Sequence, residues 1–252
     1  MKRFVWLLLI ASAFAQSKFA GPSKIAGPSS TGSGVVATTV LFGGWGAGQN
    51  STANIPLNWN TTPTVGGGEI VFFWHLTTTT VTSVCNGTGT DGCTGSDTFV
   101  SLGALTNTAH FVSEVYLLCN VTHTNAVIIT PNAAAQVYAD GIFFTGQTVG
   151  GCNDGFPAGT VNTGATPLTG PAVTTTNAHD LLTILASNAC GGTAYAAGVD
   201  GQGNAMTDSG ATNSGVLGIS YRQLSATNTY TPTVTAGPTC ATGGNAQTLA
   251  IK

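Results

Sequence analysis

Ionisable side chains are nearly missing from this sequence: Asp, Glu, Lys and Arg together make up 6% of its 252 residues, against about 25% in an ordinary globular chain. That shortage excludes functions that run on charge. Gripping nucleic acid takes several Lys or Arg acting together on phosphates, and beyond Arg3 no two basic residues are near neighbours. Helical periodicity is also missing, since no stretch repeats apolar residues at helical spacing over three turns. Long hydrophobic runs are absent too: the apolar stretch Phe4 to Ile10 falls short of the roughly 20 residues that a spanning helix needs. Among motifs, there is no G-x-S-x-G nucleophile elbow, and no C-x2-C pair or Cys/His cluster that would hold zinc. Neither a cofactor nor a metal is expected.

The N-terminus reads as an address. Residues 1–15, MKRFVWLLLIASAFA, carry Lys2 and Arg3, then a short apolar core, then Ala13-Phe14-Ala15, the three parts of a secretory signal peptide. Cleavage after Ala15 leaves four basic residues against nine acids, so the formal charge moves from -3 to -5. Residues 16–34 contain AGPS twice, and Pro, Gly and Ser at that density make a linker. Residues 35–252 form the folded domain. An exported, extracellular or surface location follows, with no membrane span in the mature chain.

Six cysteines in an exported chain, Cys85, Cys93, Cys119, Cys152, Cys190 and Cys240, read as three disulfides. Tracing the strands up and down sorts them to opposite ends of the domain. The expected pairs, out of 15 possible connectivities, are Cys85 with Cys93, Cys119 with Cys152, and Cys190 with Cys240.

From Val35 onward, short β-branched and aromatic runs alternate with Gly, Asn and Thr, the texture of an all-β protein. The expected fold is an antiparallel two-sheet β-sandwich, jelly-roll-like. Val35 to Phe42 is the first candidate strand. Ile70 to Leu76 (IVFFWHL) and Leu181 to Ala186 (LLTILA) are apolar without alternation, so both should be central strands covered on two faces. Phe111, Val115 and Leu117 alternate with Val112, Glu114 and Tyr116, giving one dry and one wet face. Val115 to Pro131 aligns without gaps on Ser220 to Ala236, with Tyr116 on Tyr221, Thr122 on Thr227 and Ile129 on Val234. This points to an internal pseudo-twofold repeat joined through a Gly/Thr/Pro-rich crossover at Gly146 to Asn177; accidental agreement among abundant threonines is the competing explanation.

The succession GGGEIVFFWHL, VTSV, DTFVSLG, EVYLLCNVT, NAVIITP and IFFTG, with NAHDLLTILA in the second half, resembles a group of uncharacterised secreted bacterial β-sandwich proteins. The resemblance implies a jelly-roll or lectin-like domain in an exported or surface-associated protein, and carries over no catalytic residues.

Candidate chemistry is thin. His75, His110, His123 and His179 are the groups that titrate near neutrality; His75 and His179 read as edge histidines. His110, Glu114 and Tyr116 share one strand face by period-two alternation, which suits either a wet groove or a plain solvated sheet. Glu69 and Asp180 hold matching places before the two central strands, a carboxylate pair in a hydrolase or two turn carboxylates that accept backbone N–H groups. Asp200 to Asp208, DGQGNAMTD, has the spaced oxygens of a calcium loop but not its full pattern or closing Glu, and an Asp-Gly hairpin turn explains it equally. Trp45 and Trp59, flanked by Gly, Asn and Thr, are the candidate glycan-binding residues, with packing over the open end of the sandwich as the alternative. The sequence favours a secreted, non-catalytic structural, adhesive or surface-layer protein whose partner is itself. A carbohydrate-binding module reading a cell-surface glycan is the second reading, and a glycoside or ester hydrolase the third.

Overall fold

A computed structural model of the chain describes residues 54–57, 59, 62–86, 93, 97–132, 136–148, 150–162, 167–189, 195–208, 216–236 and 243–252. All of these lie in one compact unit, Gly32–Lys252. The leader, the linker, the candidate strand at Val35 to Phe42, Trp45, Cys190 and Cys240 fall outside the described residues.

No helix occurs among the described residues. The first half contains β1 (Ile55–Leu57), β2 (Gly68–Leu76), β3 (Val81–Asn86), β4 (Val100–Thr106), β5 (Phe111–Leu118), β6 (Val127–Pro131) and β7 (Val137–Phe144). The second contains β8 (Asn153–Gly155), β9 (Thr160–Asn162), β10 (Leu168–Thr169), β11 (Val173–Thr174), β12 (Leu181–Asn188) and β13 (Tyr195–Ala197). It continues with β14 (Thr207–Asp208), β15 (Leu217–Gln223), β16 (Thr229–Tyr230), β17 (Thr233–Ala236) and β18 (Gly244–Ile251). The central strands β2 and β12 each run between two antiparallel partners, β5 with β7 and β15 with β18. The crossover expected at Gly146 to Asn177 is not all loop: β8 and β9 pair with β18, and β11 pairs with β16.

Burial on both faces of the central strands produces a deeper stack than two layers. Ile70, Phe72 and Trp74 of β2 face Leu181 and Leu185 of β12 in one cluster. On the opposite face of β2, Val71 and Phe73 pack with Ile55, Leu57, Val84 and Ile129. Behind β12, Leu182 and Ile184 pack with Leu168, Tyr195 and Val234. The sheets therefore lie as β1-β6-β3, then β4-β5-β2-β7, then β14-β15-β12-β18, then β10-β17-β13. The antiparallel sandwich architecture is present and extends to four layers. Each fully buried Phe or Leu in these seams contributes about 1.5–3 kcal/mol by leaving water.

The order of pairing recurs, 4-5-2-7 becoming 14-15-12-18 and 1-6-3 becoming 10-17-13. The gapless alignment does not carry that recurrence residue for residue. Tyr116 packs toward the outer cluster of the first half, whereas Tyr221 packs toward the seam between the halves. A slip of one residue exchanges the faces of a strand, and restoring the faces sets Leu118 against Leu224, which both face outer clusters.

One polar ladder interrupts the apolar seam between the halves. Asn245 Nδ2 donates to the Leu105 carbonyl at 2.7 Å and to Ser113 Oγ at 2.9 Å, and Asn107 Nδ2 donates to Asn245 Oδ1 at 3.1 Å. Ser113 Oγ donates to Gln247 Oε1 at 3.2 Å. Directional contacts of this kind fix the register of two apolar faces that could otherwise slide. Disulfides join Cys85 to Cys93 and Cys119 to Cys152, the first two of the pairs expected.

Candidate functional site

Strand β4 ends its sheet, and the two halves of its free edge are treated differently. Toward its C-terminus the edge is covered, because Asn245 bonds Leu105 and Phe156 approaches Gly103. Toward its N-terminus a groove of about 350 Å³ opens between Val100 and Leu102 on one side and Gly150 to Asn153 on the other. Leu117 and the Cys119–Cys152 bridge line it, and none of its lining residues among the described ones is ionisable. Val100 stands 63% exposed at the rim. A groove with this lining is shaped for an uncharged, apolar or extended polypeptide surface.

The charged residues are drawn inward. Glu69, Asp140, Asp180 and Asp200 are fully buried. The side chains of Asp97, Glu114 and Asp154 are 10%, 14% and 1% exposed, each paired with a base. Arg222 lies 3.5 Å from Asp200, and Lys252 lies 3.7 Å from Asp154. Asp208 is half-buried. Among the described residues the exterior is close to charge-free, which composition alone did not reveal.

His110 and Glu114 are not brought together. His110 sits in the turn before β5 with φ at +65°, while Glu114 Oε1 meets His75 Nε2 at 2.8 Å and His75 Nδ1 meets the Leu76 carbonyl at 2.8 Å. Tyr116 stacks on Phe73. Burial, with the Glu114 carboxylate next, pushes its hydroxyl up to about 12. His75 therefore has a buried partner, and the signal for it was its position one diagonal from Glu114 on the paired strand.

Glu69 and Asp180 lie in different halves and do not face each other across a cleft; each is sealed beside another aspartate. Asp180 is met by the backbone N–H and the side chain of Asn177, and Glu69 by the side chain of Asn86, none of them at ideal hydrogen-bond geometry. Burial pushes Glu69 up to about 8, opposed by a hydrogen bond from Asn86 and aided to a smaller degree by repulsion from Asp97. Burial and the adjacent Asp154 push Asp180 up to about 7. Their neighbours behave oppositely. Burial works to raise Asp97, yet hydrogen bonds from Thr122 and His123 outweigh it and hold the group below the usual carboxylate range. Asp154 is held low in the same way by Thr176, Asp180 and Lys252.

In the Asp200 to Asp208 segment, Asp200 Oδ1 accepts from the backbone of Gln202 at 2.8 Å and of Asn204 at 3.0 Å, and its Oδ2 accepts from Asn204 Nδ2 at 2.9 Å. That is a side-chain-capped turn, and its carboxylate is already occupied. No group of three metal-ligating side chains occurs among the described residues. Trp59 is half-buried against the outer cluster of the first half, with its six-membered ring over Gly141, where even a methyl group would meet it at 2.7 Å. Its ring is engaged in packing. No helix of the described residues is long and apolar enough to cross a membrane.

Comparison with known proteins adds no name: no family model, curated protein or solved structure matches this chain.

Proposed function

We propose that this protein is an exported, non-catalytic β-scaffold with a structural or adhesive role at a surface, and that it associates with further copies of itself. The observation that carries this reading is the placement of charge. Side chains that would make two copies repel are buried or paired, leaving a skin of Thr, Asn, Gly and Ala that neighbouring molecules can approach without electrostatic cost. The N-terminal half of β4 supplies the contact, since an uncovered strand edge offers unpaired N–H and C=O groups beside an apolar, uncharged groove. A second copy matches that groove because its own edge is equally uncharged. The hydrolase reading needs two accessible carboxyls, and Glu69 and Asp180 are sealed; a carbohydrate-binding module, the second reading, would draw on Trp45 and Trp59, of which Trp59 already packs part of its ring over Gly141.

Light scattering across a concentration series tests the proposal. Assembly should appear with rising concentration, persist from low to high salt because charge does not drive it, and be lost in Val100→Lys, which places a charge on the edge. A wild-type protein that stays monomeric throughout overturns it.

A further inference from the structure

The two inner sheets end side by side at the groove. Strand β4 closes one of them, and β8, paired with β18, lies at the border of the other, so the groove runs between Val100 and Leu102 on β4 and the residues Gly150 to Asn153 that lead into β8. Leu117 and Cys152 in its lining are buried members of the apolar cluster between the halves, and Leu102 and Cys119 pack against that cluster. The groove is thus an opening onto the seam from its side. Its far wall is bare at two successive residues. Gly150 has φ at +82°, a conformation that calls for glycine. Gly151 does not: its φ lies outside the left-handed region, and a Cβ built on it would have nothing within 4 Å. Nothing inside the fold requires glycine at 151, and its effect is to keep the opening clear. Thr98 and Asn153, both exposed, bring a hydroxyl and an amide to the same groove. The acids next to them in sequence, Asp97 and Asp154, bond to Thr122 and Thr176 instead.

We propose that this groove is a binding site for an uncharged amphiphile, an apolar chain that carries a hydroxyl or amide head. The chain covers Leu102, Leu117 and the Cys119–Cys152 bridge, and the head bonds Thr98 and Asn153. A volume of about 350 Å³ falls within the range of small-molecule sites. Since a cavity of about 150 Å³ takes a benzene ring, this one holds a chain on the order of ten carbons. A carboxylate or ammonium head is disfavoured, because none of the described lining residues is ionisable and a charge that enters without a partner loses hydration uncompensated. The site goes beyond the proposed association, which uses the groove when it is empty.

The test uses N-phenylnaphthylamine, an uncharged dye that brightens in apolar surroundings, with the full chain diluted until light scattering reports monomer. Dye binding should saturate, and decanol should displace the dye at a concentration about tenfold below that needed with decanoate or decylamine. Gly151→Leu puts a side chain into the opening. It should weaken dye binding about tenfold or more and leave Tm unchanged, since the position has room. If that variant does not fold, Val100→Lys, at an exposed position of the rim, takes its place with the same loss expected. Dye that never saturates, charged chains that displace it as well as decanol does, or a folded variant that binds like wild type would overturn the site. Assembly of wild type without dye binding would leave a second copy as the occupant and also overturn it, whereas dye binding by a chain that stays monomeric at every concentration would support the site and remove the association alone.

Discussion

Replacing Glu69 by Gln should stabilise this protein at neutral and alkaline pH while leaving it nearly unchanged in acid. Glu69 is fully buried at the start of β2, both of its oxygens lack well-formed hydrogen bonds, and burial pushes it from 4.5 up to about 8. Below pH 4.5 the folded and unfolded chains both hold the proton, so the group adds no pH dependence. Between 4.5 and 8 the unfolded chain releases its proton and the folded chain keeps it. Stability therefore falls with rising pH in that window and levels off above it. At 1.36 kcal/mol per pH unit, the loss reaches about 3 kcal/mol at pH 7 and about 5 kcal/mol above pH 8. Gln has the same shape and no proton to lose. Its amide can also donate to Asn86 Oδ1, a buried acceptor that lacks a partner. Urea unfolding at pH 5 and pH 8 should show the two proteins within about 1 kcal/mol of each other in acid, with the variant ahead by several kcal/mol at pH 8. Equal destabilisation of the variant at both pH values would refute the reasoning, because it would mean that the carboxylate, not the acid, is the folded form.

Two further substitutions probe the frame that holds these groups. Asn245→Ala removes the hub of the polar ladder between the halves, stranding Asn107, Ser113 and the Leu105 carbonyl. It should cost about 3 kcal/mol in denaturant midpoint stability, and a neutral effect would show that the ladder sets register without adding stability. Replacing Cys119 and Cys152 by Ser opens a loop of 33 residues. Loop entropy puts the cost at about 4 kcal/mol, measurable against the disulfide-bonded wild type, and the same change should widen the groove floor and alter the concentration at which copies associate.

Strand positions were readable because each depends on a short window. IVFFWHL and LLTILA have no wet face, and β2 and β12 are buried on both sides. Phe111 to Leu118 alternates, and its burial alternates with it. Layer number was harder to read, since a strand covered on two faces states only that something lies on each side. It does not say whether the cover is one partner sheet and a loop or two partner sheets. The order of strand pairing recurs between the halves, but the alignment that suggested a repeat does not map onto it, because Tyr116 and Tyr221 invite a match that reverses one face. Glu69 and Asp180 were singled out by position, but the aspartates beside them, Asp97 and Asp154, come from loops and a short edge strand that carry no periodic signal.

The scarcity of charge and its burial are best understood together. A chain with many ions can leave them in water, where a surface pair adds at most about 1 kcal/mol, and it gains solubility from their repulsion. Here the described acids divide: burial holds Glu69, Asp140 and Asp180 toward the neutral form, whereas hydrogen bonds and nearby bases hold Asp97, Asp154 and Asp200 below the usual carboxylate range. The first group loses stability as pH rises toward and through neutrality, and the second loses it as pH falls below the usual carboxylate range. Such a molecule should be most stable on the mildly acidic side of neutrality, weakening on the alkaline side through Glu69 and Asp180 and in stronger acid through Asp97, Asp154 and Asp200. On the proposed export and self-association, that balance makes the mildly acidic side of neutrality the range in which association through β4 should be strongest.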